Sequence, residues 1–145
     1  MLLGTYEHSL DSKNRLTLPS GIRKNFDTFV VLSIGIDKCA EIRTPEEFKS
    51  YTSMLQKVGI SKEKYRTLLR TVLGNSFEIQ IDSSNRVLVP GIIAEFCNFS
   101  KNVVLIGVGD KMEVWSADIY NSIKRKDDIN ALSSVVESLN DLDDN

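Results

Sequence analysis

The chain has 145 residues, 41% of them hydrophobic, with 18 Lys and Arg against 20 Asp and Glu and a formal charge of −2. Such a length and apolar content can bury a proper core, as one domain or as two intimately packed halves. The charge excludes a uniformly basic nucleic-acid coat, but it is uneven: Glu137, Asp141, Asp143 and Asp144 close the chain, and without them the rest stands at +2, which permits an anionic partner.

In chain order, Tyr6–Leu10 alternates like a strand, Asp11-Ser12-Lys13-Asn14-Arg15 makes a short loop, and Leu16-Thr17-Leu18 returns as a second strand ended by Pro19. Asp or Ser can close an Asx-type turn on its own backbone, and Asn tolerates positive φ better than most residues. A short helical turn follows Pro19. Phe29–Gly35 and Ala40–Arg43 then read as a hairpin with a glycine-bearing turn. Thr44-Pro45-Glu46-Glu47 is a capping box with proline at the first helical position. The helix it opens carries Phe48, Tyr51, Leu55 and Val58 on one face and stops at Gly59. A second helix is expected from about Ser61, burying Tyr65, Leu68, Leu69 and Val72 before Gly74.

The opening sentence then returns 71 residues later: Phe77–Pro90 repeats Tyr6–Pro19, with Glu, Asp, Ser, Asn, Arg and Pro kept. Lys101–Gly107 and Met112–Trp115 repeat the hairpin. Ser116 is placed to cap a helix carrying Ile119, Tyr120 and Ile123. A last amphipathic segment, Ile129, Leu132, Val135, Val136 and Leu139, is expected to pack on the body or on a neighbouring subunit, before a solvated tail beyond Leu142. The expected fold is α+β with a mainly β core. Its organisation is a first repeat over 1–59, a linking helix over 60–75, a second repeat over 76–126, and a C-terminal segment with an acidic tail over 127–145.

A repeated structural unit needs only its apolar pattern, so repetition of Asp-Ser-x-Asn-Arg assigns work to the turn itself. Arg15 and Arg86, held out on tight turns, suit a partner that itself repeats. Their planar forks match guanine O6 and N7 bidentately. The competing reading is that Asp11–Arg15 and Asp82–Arg86 only tie their loops shut; the two combine if each aspartate holds its guanidinium in a reading pose. Lys13 stands where the second loop has Ser84, and Arg23 and Lys24 follow soon after Pro19, so the first loop reads as the more basic. Lys62, Lys64, Arg66 and Arg70 read as a solvated helix face.

Enzyme chemistry finds little support. His8 is the lone histidine and its counterpart is Ile79, so no repeated site uses it. Cys39 and Cys97 form no CxxC pair and read as buried reduced thiols, which with one histidine leaves no standard zinc spacing. No glycine-rich phosphate loop is present. Asp11 and Asp82 as a catalytic carboxylate pair would need support that nothing else in the chain gives. Neither a cofactor nor a small-molecule substrate is expected. With no basic region before a long apolar run at the N-terminus, and no apolar stretch near ~18 residues, a soluble intracellular protein without a membrane partner is expected.

Two Asp-x-x-x-Arg loops about 70 residues apart, each followed by a Leu/Val-x-Leu/Val-Pro strand, resemble the MraZ family of bacterial transcription regulators. The likeness runs to about Ile123, and Glu113-Val114-Trp115 fits it well. It implies an AbrB-like swapped-hairpin β-barrel built within one chain, and ring-shaped homo-oligomers. It further implies binding to short direct promoter repeats upstream of the family's own division and cell-wall operon, in the cytoplasm on the nucleoid. The motif positions would be Asp11, Arg15, Asp82 and Arg86, with Lys13 matching a basic residue usual in the first loop. Where the family commonly has glycine before each arginine, this chain has Asn14 and Asn85, which suit the same turn and add a side chain toward DNA. The alternative from another class is an AbrB-like, antitoxin-type module that holds a partner protein.

Overall fold

The computed structural model describes residues 1–59, 61–123 and 129–143. The first half opens with β1 (Thr5–Ser9), β2 (Arg15–Thr17), α1 (Ser20–Arg23), β3 (Phe29–Ile34) and β4 (Ala40–Arg43), followed by α2 (Pro45–Gly59) and α3 (Glu63–Gly74). The second half opens with the equivalent β5 (Ser76–Gln80), β6 (Arg86–Leu88), α4 (Gly91–Phe96), β7 (Asn102–Gly107) and β8 (Met112–Ser116), followed by α5 (Ala117–Ile123). α6 (Leu132–Asp143) follows. The expected α+β class and the two equivalent halves are both present.

The halves are interleaved rather than side by side. The large sheet runs β1-β7-β8-β4-β3-β5, and β2 pairs with β6 in a separate two-stranded ribbon. The hairpins β3–β4 and β7–β8 form as expected. The opening strands do not: β1 pairs with β7, β5 pairs with β3, and β2 crosses to β6. Each half thus lends its first two strands to the other, and the two halves meet at β4–β8, where Glu41 faces Glu113. The six-stranded sheet has β1 and β5 as its two ends and does not close into the barrel that the resemblance implied.

Burial explains the exchange. Val30, Leu32, Val103 and Leu105 are buried on strands with a neighbour on each side, while β1 and β5 at the sheet ends alternate in burial. Leu16 and Val87 face one another in the β2–β6 ribbon, and both are fully buried. They pack in one continuous core with Ile22, Ile93, Ile42 and Val114. Pro19 and Pro90 end their strands and start α1 and α4, because proline has no N–H for a ladder and a φ suited to a first turn.

The helices lie outside the sheet. Thr44 Oγ1 accepts from Glu47 N at 3.1 Å, the expected cap of α2. Arg43 and Glu41 are both buried. Glu41 Oε1 accepts from Arg43 Nη1 and Oε2 from Lys111 Nζ, both at 2.8 Å, and the Arg43 guanidinium lies 3.7 Å from the Tyr51 ring centre of α2. Pairing and stacking are what make these charges tolerable inside. Cys39 and Cys97 are buried free thiols. Burial pushes Cys97 up to about 12 and Cys39 well above its ordinary value.

One helix expectation needs correction, and another is narrowed to one of its two alternatives. α3 starts at Glu63 after Lys62, and among its apolar residues only Val72 is buried; Leu68 stays 39% exposed, lining an open cavity with Ile34, Ile36 and Tyr51. α6 forms, but Leu132, Val135, Val136 and Leu139 remain 46–61% exposed, so this face is not packed on the body. The expected placing of the Val58 side chain, the domain edges at 60 and 126–127, and the tail end at 144–145 lie outside the described residues.

Residues preceding β1 run back along the β7–β8 turn, where Leu2 N donates to Gly109 O at 2.8 Å and Gly109 N to Leu2 O at 2.9 Å. The approach is close: a Cβ on Gly107 would come within 2.4 Å of Leu3 N and 2.6 Å of Leu2 O. Gly107→Ala should therefore destabilise by about 1–3 kcal/mol. Gly74→Ala, with open space around a helical site, should stabilise by about 0.5–1 kcal/mol. Denaturant unfolding of the two variants checks both signs.

Candidate functional site

The two loops are built alike, atom for atom. In the first, Asp11 Oδ1 accepts from the backbone N–H groups of Lys13 and Arg15, both at 2.9 Å. Asp11 Oδ2 accepts from Arg15 Nε at 2.7 Å. In the second, Asp82 Oδ1 accepts from Ser84 N and Arg86 N, and Oδ2 from Arg86 Nε, all at 2.9 Å. Each loop is closed by its backbone as well: Asp11 N donates to Arg15 O at 3.0 Å, and Asp82 N to Arg86 O at 2.9 Å. Asn14 and Asn85 sit at φ 57° and 62°, the left-handed conformation a five-residue reversal needs. Asparagine is, after glycine, the residue best suited to that conformation.

Strand exchange brings these loops together. Leu18 N donates to Asn85 O and Val89 N to Asn14 O, both at 2.9 Å, so each repeat's strand holds the other repeat's loop tip. In the ribbon, Thr17 faces Arg86 and Arg15 faces Leu88. Arg86 Nη1 also lies 3.8 Å from Asp11 Oδ2, a contact across the two loops. Arg86 therefore answers two carboxylates and Arg15 one. Among the described residues, neither Nη of Arg15 has a partner.

The aspartates are strongly held as anions. The backbone hydrogen bond from Arg15, then its side-chain bond and that from Lys13 N, lower the Asp11 carboxyl to about 2 against a partial desolvation that raises it. Asp82 is lowered too, first by the Arg86 backbone and then by Ser84 N and the Arg86 side chain. Each loop thus keeps a permanent negative charge at its base and a guanidinium oriented by it. Lys13, Asn14, Ser84 and Asn85 are exposed at the tips, while Arg15 and Arg86 are half-buried.

One sequence grouping is rearranged. Arg23 and Lys24 follow the first loop in the chain, but crossing of the strands sets α1 beside the second: Arg23 Nε donates to Asn85 Oδ1 at 2.9 Å. The same Arg23 donates through Nη1 to Phe26 O at 2.7 Å. Lys24 is exposed on the groove that α1 and Asn85 share. The first loop is therefore not the more basic of the two in space. No sequence signal marked Arg23 as a partner of a residue 62 positions away; that link exists only through the exchange.

Comparison with known proteins finds the same two-fold repetition of the chain. The family described as "MraZ protein, putative antitoxin-like" matches the chain twice, over residues 1–71 and 72–142. The chain belongs to the MraZ family. A protein of Mycoplasmoides gallisepticum named transcriptional regulator MraZ is 36% identical over 97% of this chain and 99% of its own length. Relatives of the same name from Ureaplasma urealyticum and a Thermoanaerobacter species are 33% and 31% identical, over 96% and 98% of the chain. The MraZ family is one of transcription regulators and not of enzymes.

The other clusters offer no rival. His8 is half-buried in β1 opposite Val103. Cys39, Glu41 and Glu113 bring potential ligand atoms within 4.8 Å of one another. Both Glu41 oxygens already accept from Arg43 and Lys111, so the set does not suit a further cation. Among the described residues no helix is long and apolar enough to cross a membrane.

The lowered Asp11 pKa carries a sign. A carboxyl depressed from 3.8 to about 2 contributes stability that is complete above its unfolded value and is lost as pH falls toward 2. Wild type should therefore exceed Asp11→Asn in thermal stability at neutral pH, and the gap should close between about pH 4 and pH 2. Thermal melts of both proteins across that range test it.

Proposed function

We propose that this chain is a sequence-specific, DNA-binding transcription regulator whose Asp–Arg loops enter the major groove of double-stranded promoter DNA. The observation that carries the reading is the pair of identical loops locked into one platform, each with an arginine oriented by its own aspartate. A guanidinium fixed through Nε leaves its two Nη groups as a fork suited to guanine. Arg15 is the leading reader because its fork is uncommitted, whereas Arg86 shares Asp11 and also braces the two loops. Lys13 and Lys24 anchor phosphates, and Asn14 and Asn85 stand at the tips to meet base edges.

One platform covers little DNA, so tight specific binding calls for several copies on successive direct repeats. The uncovered apolar face of α6 supports self-association, and a closed ring is the form we infer. The target is the promoter of the protein's own operon of division and cell-wall genes, placing the protein in the cytoplasm on the nucleoid. A second reading, an antitoxin-type module that holds a partner protein, is favoured by the same α6 face and by the family's description. Salt separates the two: contacts to phosphate weaken steeply as salt rises, and an apolar helix contact does not.

Arg15→Ala should lower affinity for the upstream DNA roughly ten- to hundredfold with unchanged assembly. Lys13→Ala should weaken all sequences alike and reduce the salt slope by about 1. Gel shifts at several salt concentrations read both; equal binding by wild type and Arg15→Ala would overturn the assignment. Val135→Asp should reduce the oligomer seen by light scattering and, with it, binding to multi-repeat DNA more than to a single repeat.

A further inference from the structure

The two halves differ at one place that the loop geometry makes consequential. Arg23 lies four residues after Pro19, and the residue four after Pro90 is Ala94, followed by Glu95 where the first half has Lys24. Because the strands cross, α1 of the first half borders the second loop, where Arg23 bonds the side chain of Asn85. An arginine has only donors, so the atom it meets must be the amide oxygen, and the rotation of the Asn85 amide is thereby set. Arg23 is itself fixed by its bond to Phe26 O, within its own half, at 2.7 Å. In the other half Val89 N holds Asn14 O and α4 starts two residues on at Gly91, so that Ala94 is the counterpart of Arg23 and has no side-chain donor. Among the described residues the Asn14 amide has no partner, although its backbone matches that of Asn85.

We propose that Arg23 is a positioning residue that fixes the Asn85 amide for base reading by the second loop, while the first loop, with Ala94 in the matching place, reads with an unclamped Asn14. This rests on the DNA reading above. An asparagine recognises adenine by donating from Nδ2 to N7 and accepting at Oδ1 from N6, which requires the amide in one of two flips. A clamped amide enters the groove already in its reading orientation; a free one must be ordered on binding, at a cost in side-chain entropy. The two loops are therefore unequal in stringency even though their Asp–Arg frameworks coincide. The alternative role for Arg23 is a simple phosphate contact, which would carry no information about sequence.

The test is a double-mutant cycle on base discrimination, measured as the ratio of affinities for the upstream DNA and for single-base variants of it. Asn85→Gly keeps the left-handed turn and removes the amide; it should lower discrimination roughly tenfold at the base that the second loop meets. Arg23→Ala should lower discrimination at the same base and add little on top of Asn85→Gly, yet combine additively with Asn14→Gly. Arg23→Lys should retain the salt slope without restoring discrimination. Ala94→Arg is the converse variant: it should sharpen discrimination at the first loop's base, and that gain should vanish in the double variant with Asn14→Gly. The inference is overturned if Arg23→Ala weakens all sequences equally and lowers the salt slope by about 1, or if its effect is independent of Asn85. Thermal melts of each variant accompany the cycle, and if Arg23→Ala is unfolded, an Ala94→Arg variant without coupling to Asn14 overturns the inference. These outcomes are separate from failure of the DNA reading itself, which would show as wild type and Arg15→Ala binding the upstream DNA equally.

Discussion

Each half of this chain opens with two strands that find their partners in the other half, and this exchange sets the placement of both loops. β1 completes the second hairpin, β5 completes the first, and β2 with β6 ties the crossing at Leu16 and Val87. Neither half could bury its central strands alone: β3 without β5, or β7 without β1, would leave a row of backbone donors and acceptors unpaired. The core is shared, so the loops at the crossing are fixed relative to one another by backbone hydrogen bonds, Leu18 to Asn85 and Val89 to Asn14.

On this base the chemistry is economical. One carboxylate per loop organises two backbone N–H groups and one guanidinium, so the residue that closes the turn also aims the cation. The negative charge is held by hydrogen bonds from the very loop it orders, and the carboxyl stays ionised well below the usual carboxylate range. Loop closure and arginine orientation are thus one interaction seen from two sides. The Glu41–Arg43–Lys111 group differs in kind: Glu41 and Arg43 are buried, Arg43 stacks on Tyr51 of α2, and Glu41 answers both Arg43 and the half-buried Lys111.

The pseudo-symmetry is close in the backbone and broken in the side chains. Lys13 against Ser84, Arg23 against Ala94 and Lys24 against Glu95 leave the two loop surroundings chemically distinct. Crossing redistributes this difference: the first loop keeps Lys13 and is held by the strand end that leads into α4, and the second loop lacks the lysine but gains Arg23. A two-chain dimer of one repeat would carry identical loops; joining the repeats in one chain allows each to vary.

Much of this was legible in the sequence. The spacing of the two Asp-Ser-x-Asn-Arg segments, the prolines that follow them and the alternation around them gave the repeat, the loops, the short helices and the hairpins, because turn chemistry and strand periodicity act over a few residues. The capping box at Thr44 and the buried cysteines are legible for the same reason. What the sequence could not give was which strand pairs with which. A strand's alternation specifies a face to bury and not the neighbour that buries it, so β1 and β2 read as one hairpin when they belong to different sheets. The open sheet and the reach of Arg23 to Asn85 both follow from that pairing. Local hydrogen-bonding chemistry wrote the loops; only the tertiary exchange of strands decided that the two loops share one platform and that a residue of the first half steadies the loop of the second.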